Sequence, residues 1–517
     1  MWWYNFLRWA GKKMIIAAND KEKITDKEYL ERKIVNWLVS DERKLQLTGE
    51  EYYVGNHDIL QKKRTVIGQD GTVTEVHNLP NNKRVDNQYA KYVDQKKNYI
   101  LGKPITFDCD NAEYVEAVNR VLDKKFRKIL KDLGEDCLNG GIAWLCPYYD
   151  DEGELRFKNF PAYEILPFWN DRAHTDLQMA VRLYLEEKPN ATSDLDVIQK
   201  VELYTKDGIE YFTFENNRLI PDVTKEKASY LKVNGKAHNW ERIPLIAFKF
   251  NAKEIPLIKR CKSLQDGVNE IISSFKDNME EDCRNTIIVL DNYDGQDLGE
   301  FRKNLAQYGA VKVRSTDGAK GDVRTLRVEV NYANYESILA IFRTAIKHNC
   351  RGYDYSDLNK AAADPNQMNI KSILSDVDID ANDMETEFQA AFEDLLWFVN
   401  NHIGMAEEKN DVDIIFNRDG IINEVDIMQM LVACGVRIPN KILLHQVPFI
   451  NDVDAAMELL EEEDEKAMDA YGGALPMGGN AAGGADAQQQ PKTAEERTKR
   501  PVKNAGGTVY GNEQQRK

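Results

Sequence analysis

Between Leu257 and Cys283 the apolar residues Leu257, Cys261, Leu264, Val268, Ile271 and Phe275 recur at steps of four and three, a seam of nearly heptad period. Such a seam belongs to a long helix that needs a partner, and at 1.5 Å per residue it would extend roughly 40 Å. A second helical pattern runs from Asn331 to Asn349, with Tyr335, Ile338, Phe342, Ala345 and Ile346 on one face. The residues between them read as an insert: a strand from Thr286 to Leu290, a helix from Leu298 to Gln307, and strands near Ala310 to Arg314 and Val323 to Val330. The stretch after the second helix, Tyr353 to Asn369, is rich in Asp, Asn, Ala and Gln and is too polar for a core. Two long helices carrying a small α/β insert make a device that spans a distance.

The rest of the chain is mixed, and the fold class is α+β. Helices are expected over Tyr29 to Val39, Leu45 to Leu60, Arg84 to Leu101 and Ala112 to Leu133. On the third, Val85, Tyr89, Tyr92, Val93, Lys96, Tyr99 and Ile100 share a face, which makes its tyrosines core residues rather than base-stacking platforms. Gln69-Asp70-Gly71 between Thr/Val runs signals a hairpin. Strand signals dominate from Gly141 to Phe250, with a turn at Lys206-Asp207-Gly208. Met384 to Ile403 reads as an amphipathic helix through Met384, Phe388, Ala391, Leu395, Phe398, Val399 and His402. A strand at Val412 to Phe416 and helices over Ile421 to Cys434, Pro439 to His445 and Val453 to Glu465 follow. Residues 466–517 are Gly/Ala/Gln-rich and then polar, a composition expected to remain disordered.

Charge narrows the functional classes. The chain of 517 residues carries a formal net charge of −17, which argues against gripping a nucleic-acid backbone but not against a surface that DNA slides past. The short basic clusters Lys62-Lys63-Arg64 and Lys124 to Lys128 read as solvated faces. Seven cysteines, an odd number without a CxxC pair, point to free thiols in a reducing compartment. The aromatic start, Met1 to Ala10, lacks the basic-then-apolar plan of a signal peptide, and no run approaches a membrane span.

Catalytic signatures are missing from the sequence. No GxxxxGK[ST] loop occurs, since Gly102-Lys103 is followed by Pro104, and neither HExxH nor GxSxG is found. Gly140-Gly141 is no dinucleotide fingerprint. Asp376, Asp378, Asp380, Asn382, Met384 and Glu387 fall on ligand positions of an EF-hand loop. Its sixth position is Ala381, where the loop geometry needs glycine. Asp376, Asp378, Asp380 and Glu387 therefore read as a solvated acidic turn, with Ile373, Val377 and Ile379 suggesting a strand or a helix entry. No metal or cofactor is expected.

Four stretches, taken in order, carry a family resemblance. They are Glu51 to Leu60 (EYYVGNHDIL), Asn82 to Val85 leading to Tyr99–Ile105 (YILGKPI), Asn139 to Trp144 (NGGIAW) with Phe160 to Pro167 (FPAYEILP), and Val436 through Asn451-Asp452 to Leu460. Together they resemble the SPP1-type phage portal proteins over about residues 40 to 465. The resemblance implies a ring, usually of twelve subunits, at one capsid vertex, and a fold with a mixed α/β wing, long stem helices, a small α/β clip insert and a helical C-terminal crown. Residues 1–40 would precede a wing of 41–256, onto which 369–420 would pack. The stem helices would be 257–285 and 331–350, the clip 286–330, the tunnel loop 351–368 and the crown 421–465.

Under that resemblance Lys347, Arg351 and Lys360, with Asn359, Asp364, Asn366 and Gln367, would face the DNA. Asp291, Arg302, Lys303, Lys312 and Arg314 on the clip would meet the terminase large subunit and later a head-completion adaptor. Major capsid and scaffolding proteins would be further partners. The DNA would be double-stranded and read without sequence specificity, and no membrane would be involved. The expected place is the virion, after assembly in the host cytoplasm. The chain is expected not to be an enzyme, because a packaging motor needs the missing phosphate loop. A low-order head-tail adaptor without a channel is the alternative.

Overall fold

Strand-forming residues after Ile142 build the sheets on which the helices rest, beginning with a run from Ile142 to Pro147 that is buried on both faces. The computed structural model describes residues 27–67, 72–77, 79–189, 195–233, 236–282, 287–291, 315–316, 319–320, 322–326, 332–354, 367–405 and 412–418, with the isolated residues 457, 459, 460 and 466. The chain divides into two units, Met1–Ile427 and Met428–Lys517, and every element below lies in the first. The expected clip helix, the hairpin turn at Gln69-Asp70-Gly71, the strand near Ala310 to Arg314 and the helices expected over Ile421 to Cys434 and Pro439 to His445 lie outside the described residues, as do all of the last helix but Met457, Leu459 and Leu460 and all of the tail but Lys466. The arms of that hairpin, β1 (Thr65–Ile67) and β2 (Val73–Glu75), do pair antiparallel.

Strands β4 (Ile142–Tyr149) and β5 (Leu155–Pro161) form a hairpin, and β13 (Ile246–Lys249) pairs with β4, placing Trp144 opposite both Phe160 and Ala247. The strands β6 (Ile165–Trp169), β7 (Leu177–Pro189), β8 (Leu195–Thr205), β9 (Gly208–Glu215) and β10 (Arg218–Pro221) follow one another as an antiparallel meander. A short pair, β11 (Leu231–Val233) with β12 (Lys236–His238), lies between the meander and β13 in sequence. Gly208, at φ +117°, starts the return strand where a Cβ would strike the carbonyl of Ala228. Alternation sends Met179, Val181 and Leu183 to one face of the meander. There they meet Leu30, Ile34 and Trp37 of α1 (Lys27–Leu38). Ala180 and Tyr204 face the other way, onto Trp144, Phe160 and Trp169.

The larger core gathers α2 (Asp41–Tyr53), α3 (Gln88–Leu101), α4 (Ala112–Val121), α5 (Lys124–Gly140) and α8 (Gln367–Ile403) around β4 and β13. Tyr89, Tyr92, Val93, Lys96, Tyr99 and Ile100 of α3 are all buried, as their spacing predicts. Phe392 of α8 contacts the rings of Phe107, Phe126, Phe248 and Phe416 with centroids 5.7–6.3 Å apart. Short strands β3 (Thr106–Asp108) and β18 (Asp413–Ile415) pair beside it. Cys109, Cys137, Cys146, Cys261 and Cys350 are free thiols. Among the described residues no helix is long and apolar enough to cross a membrane.

Several boundaries differ from the sequence reading. The helix expected over Leu45 to Leu60 runs over Asp41–Tyr53, started by the Ser40 cap on the Arg43 amide and ended before Gly55 at φ +95°. The helix expected from Ala112 to Leu133 is two, because Asp123 caps a new start by accepting the amides of Lys125 and Phe126 at 2.8 and 3.0 Å. The helix expected from Arg84 begins at Gln88, where Asn87 caps it by accepting the Ala90 amide at 3.0 Å. The helix expected from Met384 begins at Gln367, so Gln367 belongs to a helix rather than to the polar loop.

Candidate functional site around the long helix pair

The two long patterns of the sequence form α6 (Ile258–Asp282) and α7 (Tyr332–Asn349), which pack against each other. Leu264, Val268 and Ile272 of α6 join the core with Leu339, Phe342 and Ile346 of α7, while Ile271 is left out of it. Gly267 lets the Phe342 ring approach, since a Cβ there would lie 2.5 Å from Cε2. Further along, Phe275 stacks obliquely on Tyr335 at 5.0 Å, and Asn278 donates to the Tyr335 hydroxyl at 2.8 Å. Beyond α6, β14 (Ile287–Asp291) pairs antiparallel with β17 (Asp322–Leu326), and the short strands β15 (Ser315–Thr316) and β16 (Ala319–Lys320) pair with each other.

A second face of α6 is polar and fully buried. Gln265, Asn269, Ser273 and Asp277 stand four residues apart and accept backbone amides from alternate residues of an extended segment. Asp277 takes Asn82 at 2.6 Å, Ser273 takes Arg84 at 2.9 Å, Asn269 takes Asp86 at 2.9 Å and Gln265 takes Gln88 at 3.0 Å. The spacing works because four helical residues rise about 6.0 Å and two extended residues about 6.6 Å. Lys62 and Arg64 lie 3.7 and 3.6 Å from Asp277, so part of the first basic cluster answers a buried carboxylate.

His57 closes this row. Its Nδ1 lies 2.7 Å from Nδ2 of Asn269, which can only donate, so Nδ1 accepts. Nε2 then carries the hydrogen and donates to the carbonyl of Tyr52 at 3.0 Å. The ring stacks on Tyr52 at 4.3 Å, and burial holds its pKa below the ordinary histidine value.

At the root of the helix pair a single carboxylate collects three cations. Asp380 of α8, 1 % exposed, is 2.8 Å from Lys96 of α3, 2.7 Å from Arg260 of α6 and 2.7 Å from Arg351, two residues past α7. Burial works to raise the Asp380 pKa, but Lys96 and Arg260 outweigh it and hold the carboxyl below its ordinary value. Asn349 donates to the carbonyl of Arg260 at 3.2 Å, and Arg343 makes a forked contact with Asp86 at 2.7 and 3.0 Å. Four helices and the extended segment are thus tied together here.

The residues singled out in the sequence are distributed unevenly over this frame. The acidic pattern is not a turn. Asp376, Asp378, Asp380 and Glu387 sit on the continuous helix α8, where they cannot converge on one ion. Asp378 accepts from Tyr99 at 2.6 Å and pairs with Arg418 at 2.8 Å, and Asp380 serves the three cations. No group of three or more potential metal ligands occurs among the described residues. Arg351 is held by Asp380, and Lys347, partly buried, also has an interaction partner. Asp291 ends β14. Asn359, Lys360, Asp364, Asn366, Arg302, Lys303, Lys312 and Arg314 lie outside the described residues.

The outer side of α7 exposes apolar side chains among polar ones such as Asn334, Ser337 and His348. Ile338 and Ile341 are 43 % and 63 % exposed, and the small residues Ala333, Ala340 and Thr344 lie exposed along the same helix.

The sequence has relatives among known proteins. A 28% identical relative, the portal protein of Bacillus phage SPP1, aligns over 449 residues, 83% of this chain and 85% of the relative. The portal protein of Clostridium phage phiCD119 is 25% identical over 429 residues, 81% of this chain and 92% of that one. Among solved structures, a chain described as "Neck of native GTA particle computed with C12 symmetry" shares 12% identity. It covers 69% of this chain and 88% of its own length at a TM-score of 0.32, too low to establish a common fold. Residues 40–470 match the family described as "Phage portal protein, SPP1 Gp6-like", and by that match the chain belongs to the SPP1-type phage portal proteins.

Proposed function

We propose that copies of this chain close into a ring, usually of twelve in this family, through which double-stranded DNA enters and leaves a phage capsid. The observation that carries this reading is the outer face of α7. One side of α7 is committed to α6, while Ile338, Ile341 and the exposed alanines Ala333 and Ala340 face solvent in the single chain. A helix with small and branched apolar residues on its free side favours close packing against another helix. In a closed ring this face meets a different surface of the adjacent copy, because a patch that pairs with itself closes only a dimer.

In this reading α6 and α7 are the stem, residues 286–330 the clip, and residues 41–256 with 369–420 the wing. Residues 421–465 are the crown. The clip, with Asp291, Arg302, Lys303, Lys312 and Arg314, docks the packaging terminase and later a head-completion protein. Lys347, the polar stretch with Asn359, Lys360, Asp364 and Asn366, and Gln367 at the start of α8 face the passing DNA. Each copy brings a net charge of −17, and an acidic channel repels the duplex and keeps it from sticking. The chain acts as a conduit and leaves the work of translocation to its ATP-driven partner.

Mass photometry with negative-stain electron microscopy tests the proposal. A species near twelve times 59.3 kDa with a central hole is the expected result. A stable small oligomer without a hole would instead favour a head-tail adaptor.

A further inference from the structure

Arg351 occupies a backbone position that normally belongs to glycine. Its φ is +49°, in the left-handed region. The end of α7 is closed by two bonds, Gly352 N–H to the carbonyl of Lys347 at 3.0 Å and Arg351 N–H to that of His348 at 3.1 Å. In this terminal motif the left-handed residue is usually glycine, because a Cβ is penalised there. The sequence does supply a glycine, but one residue later. At Gly352 a Cβ would collide with Cδ1 of Tyr92, so the glycine is needed for close approach to α3, and the strained slot falls to arginine.

The strain is retained for what the side chain reaches. Arg351 donates to Asp380 at 2.7 Å, and Lys96 donates to the carbonyl of Arg351 at 3.2 Å. The next residues are gripped in turn. Gln95 accepts the Tyr353 amide and donates to the Tyr353 carbonyl, both at 3.0 Å, while Lys91 pairs with Asp354. Asp380 does not need Arg351 for neutralisation, since Lys96 and Arg260 already face it. The third cation is surplus to the charge and specific to the direction of the chain.

We infer that Arg351 is a positioning residue: its bond to Asp380 of α8, with the Gln95 clamp on Tyr353, fixes the direction in which the chain leaves α7. Residues 351–354 lead into the polar stretch before α8, so one carboxylate on α8 governs the incoming side of that stretch. Its consequence for DNA passage rests on the portal reading; the chain geometry does not.

The test uses full-length Arg351→Gly and Arg351→Met. Glycine relieves the left-handed strain, so if Arg351 were only a helix cap, Arg351→Gly would leave the helix end as protected as before or more so. A positioning role predicts the opposite. Hydrogen exchange at the amides of Gly352 to Asp354 becomes about tenfold faster in both variants, as expected for losing one charge-assisted bond. Residues 336–346 of α7 and the whole of α6 keep their protection, and particles built with either variant retain less DNA. Unchanged or slower exchange in Arg351→Gly overturns the inference. A wild-type chain that forms no channelled ring would sink the portal reading while leaving the exchange result standing.

Discussion

The carboxylate of Asp277 accepts the backbone amide of Asn82 at 2.6 Å and its side-chain amide at 2.8 Å, although the two residues are 195 positions apart. This is the outermost rung of a ladder in which one helix does for an extended segment what a neighbouring strand would do. Each rung gives a buried polar side chain of α6 a backbone amide to accept. The ladder sets where α3 begins, because the segment cannot become helical while alternate amides are held by α6. Through Asp86 and Arg343 it also ties α7 to the same segment.

Asn269 is the rung with most to lose. Its Oδ1 takes the Asp86 amide, and its Nδ2 donates to His57. Asn269→Ala leaves the buried His57 Nδ1 and the partly buried Asp86 amide without this partner, a cost of about 1–3 kcal/mol for the buried group. The thermal midpoint should fall by several degrees, and exchange should quicken at Arg84 to Gln88 before it does in the meander. Equal exchange in the two regions would mean that the ladder does not hold the segment.

Asp136 on α5 supplies a pH dependence. Burial, with the charge of Glu50 adding to it, pushes its carboxyl up to about 7. A carboxyl whose pKa is raised on folding contributes stability that is complete below the unfolded value near 3.8 and is lost as pH rises through 7. Asp136→Asn, which can still accept from Asn159, removes that loss. The variant should be more stable than the parent at pH 8, by on the order of 2–4 kcal/mol. The gap should close toward pH 4. Parallel stability curves for the two proteins from pH 4 to 8 would show that Asp136 does not titrate on folding.

His57 pulls the other way. Burial depresses its pKa, so the unfolded chain takes up a proton at a pH where the folded one does not. Stability is therefore complete above the unfolded value of about 6.5 and is lost as pH falls below it. Protonation also costs the Asn269 bond, since Nδ1 could no longer accept. His57→Gln should lower the thermal midpoint at pH 7.5 and flatten its decline between pH 6.5 and 5. An acid limb as steep as the parent's would assign the decline to other groups.

How far the sequence could be read follows from these particulars. The apolar seam of α6 was legible because burial of one face leaves a period. Its polar row was not, because a buried polar face and a solvated one share the same residue classes. The available signal was that Gln265, Asn269 and Ser273 are uncharged where a solvated face of this acidic chain would carry Lys or Glu. The start of α8 was hidden by carboxylates at alternate positions. Yet Leu374, Val377, Ala381, Met384, Phe388, Ala391, Leu395 and Phe398 step three and four throughout, and all are buried. The convergence on Asp380 had no local signature, since its three cations come from residues 96, 260 and 351. Ion pairs between distant segments leave no period to read.

The two isoleucines at 341 and 346 of α7 separate folding from assembly. Ile346 is fully buried against the core, whereas Ile341 is 63 % exposed. Ile346→Asp places an unpaired charge among Val268, Leu264 and their neighbours, which is enough to unfold the helix pair. Ile341→Asp changes only the outer face, and the folded chain should melt within a degree or two of the parent when both are monomeric. In an assembly the outcome differs, because covering one isoleucine at an interface is worth about 1.5–3 kcal/mol and a desolvated carboxylate reverses that gain at every repeated contact. Mass photometry should show Ile341→Asp as monomers at concentrations where the parent forms rings, with unchanged circular dichroism. Rings of parental mass from Ile341→Asp would place the contact between copies elsewhere than on the outer face of α7.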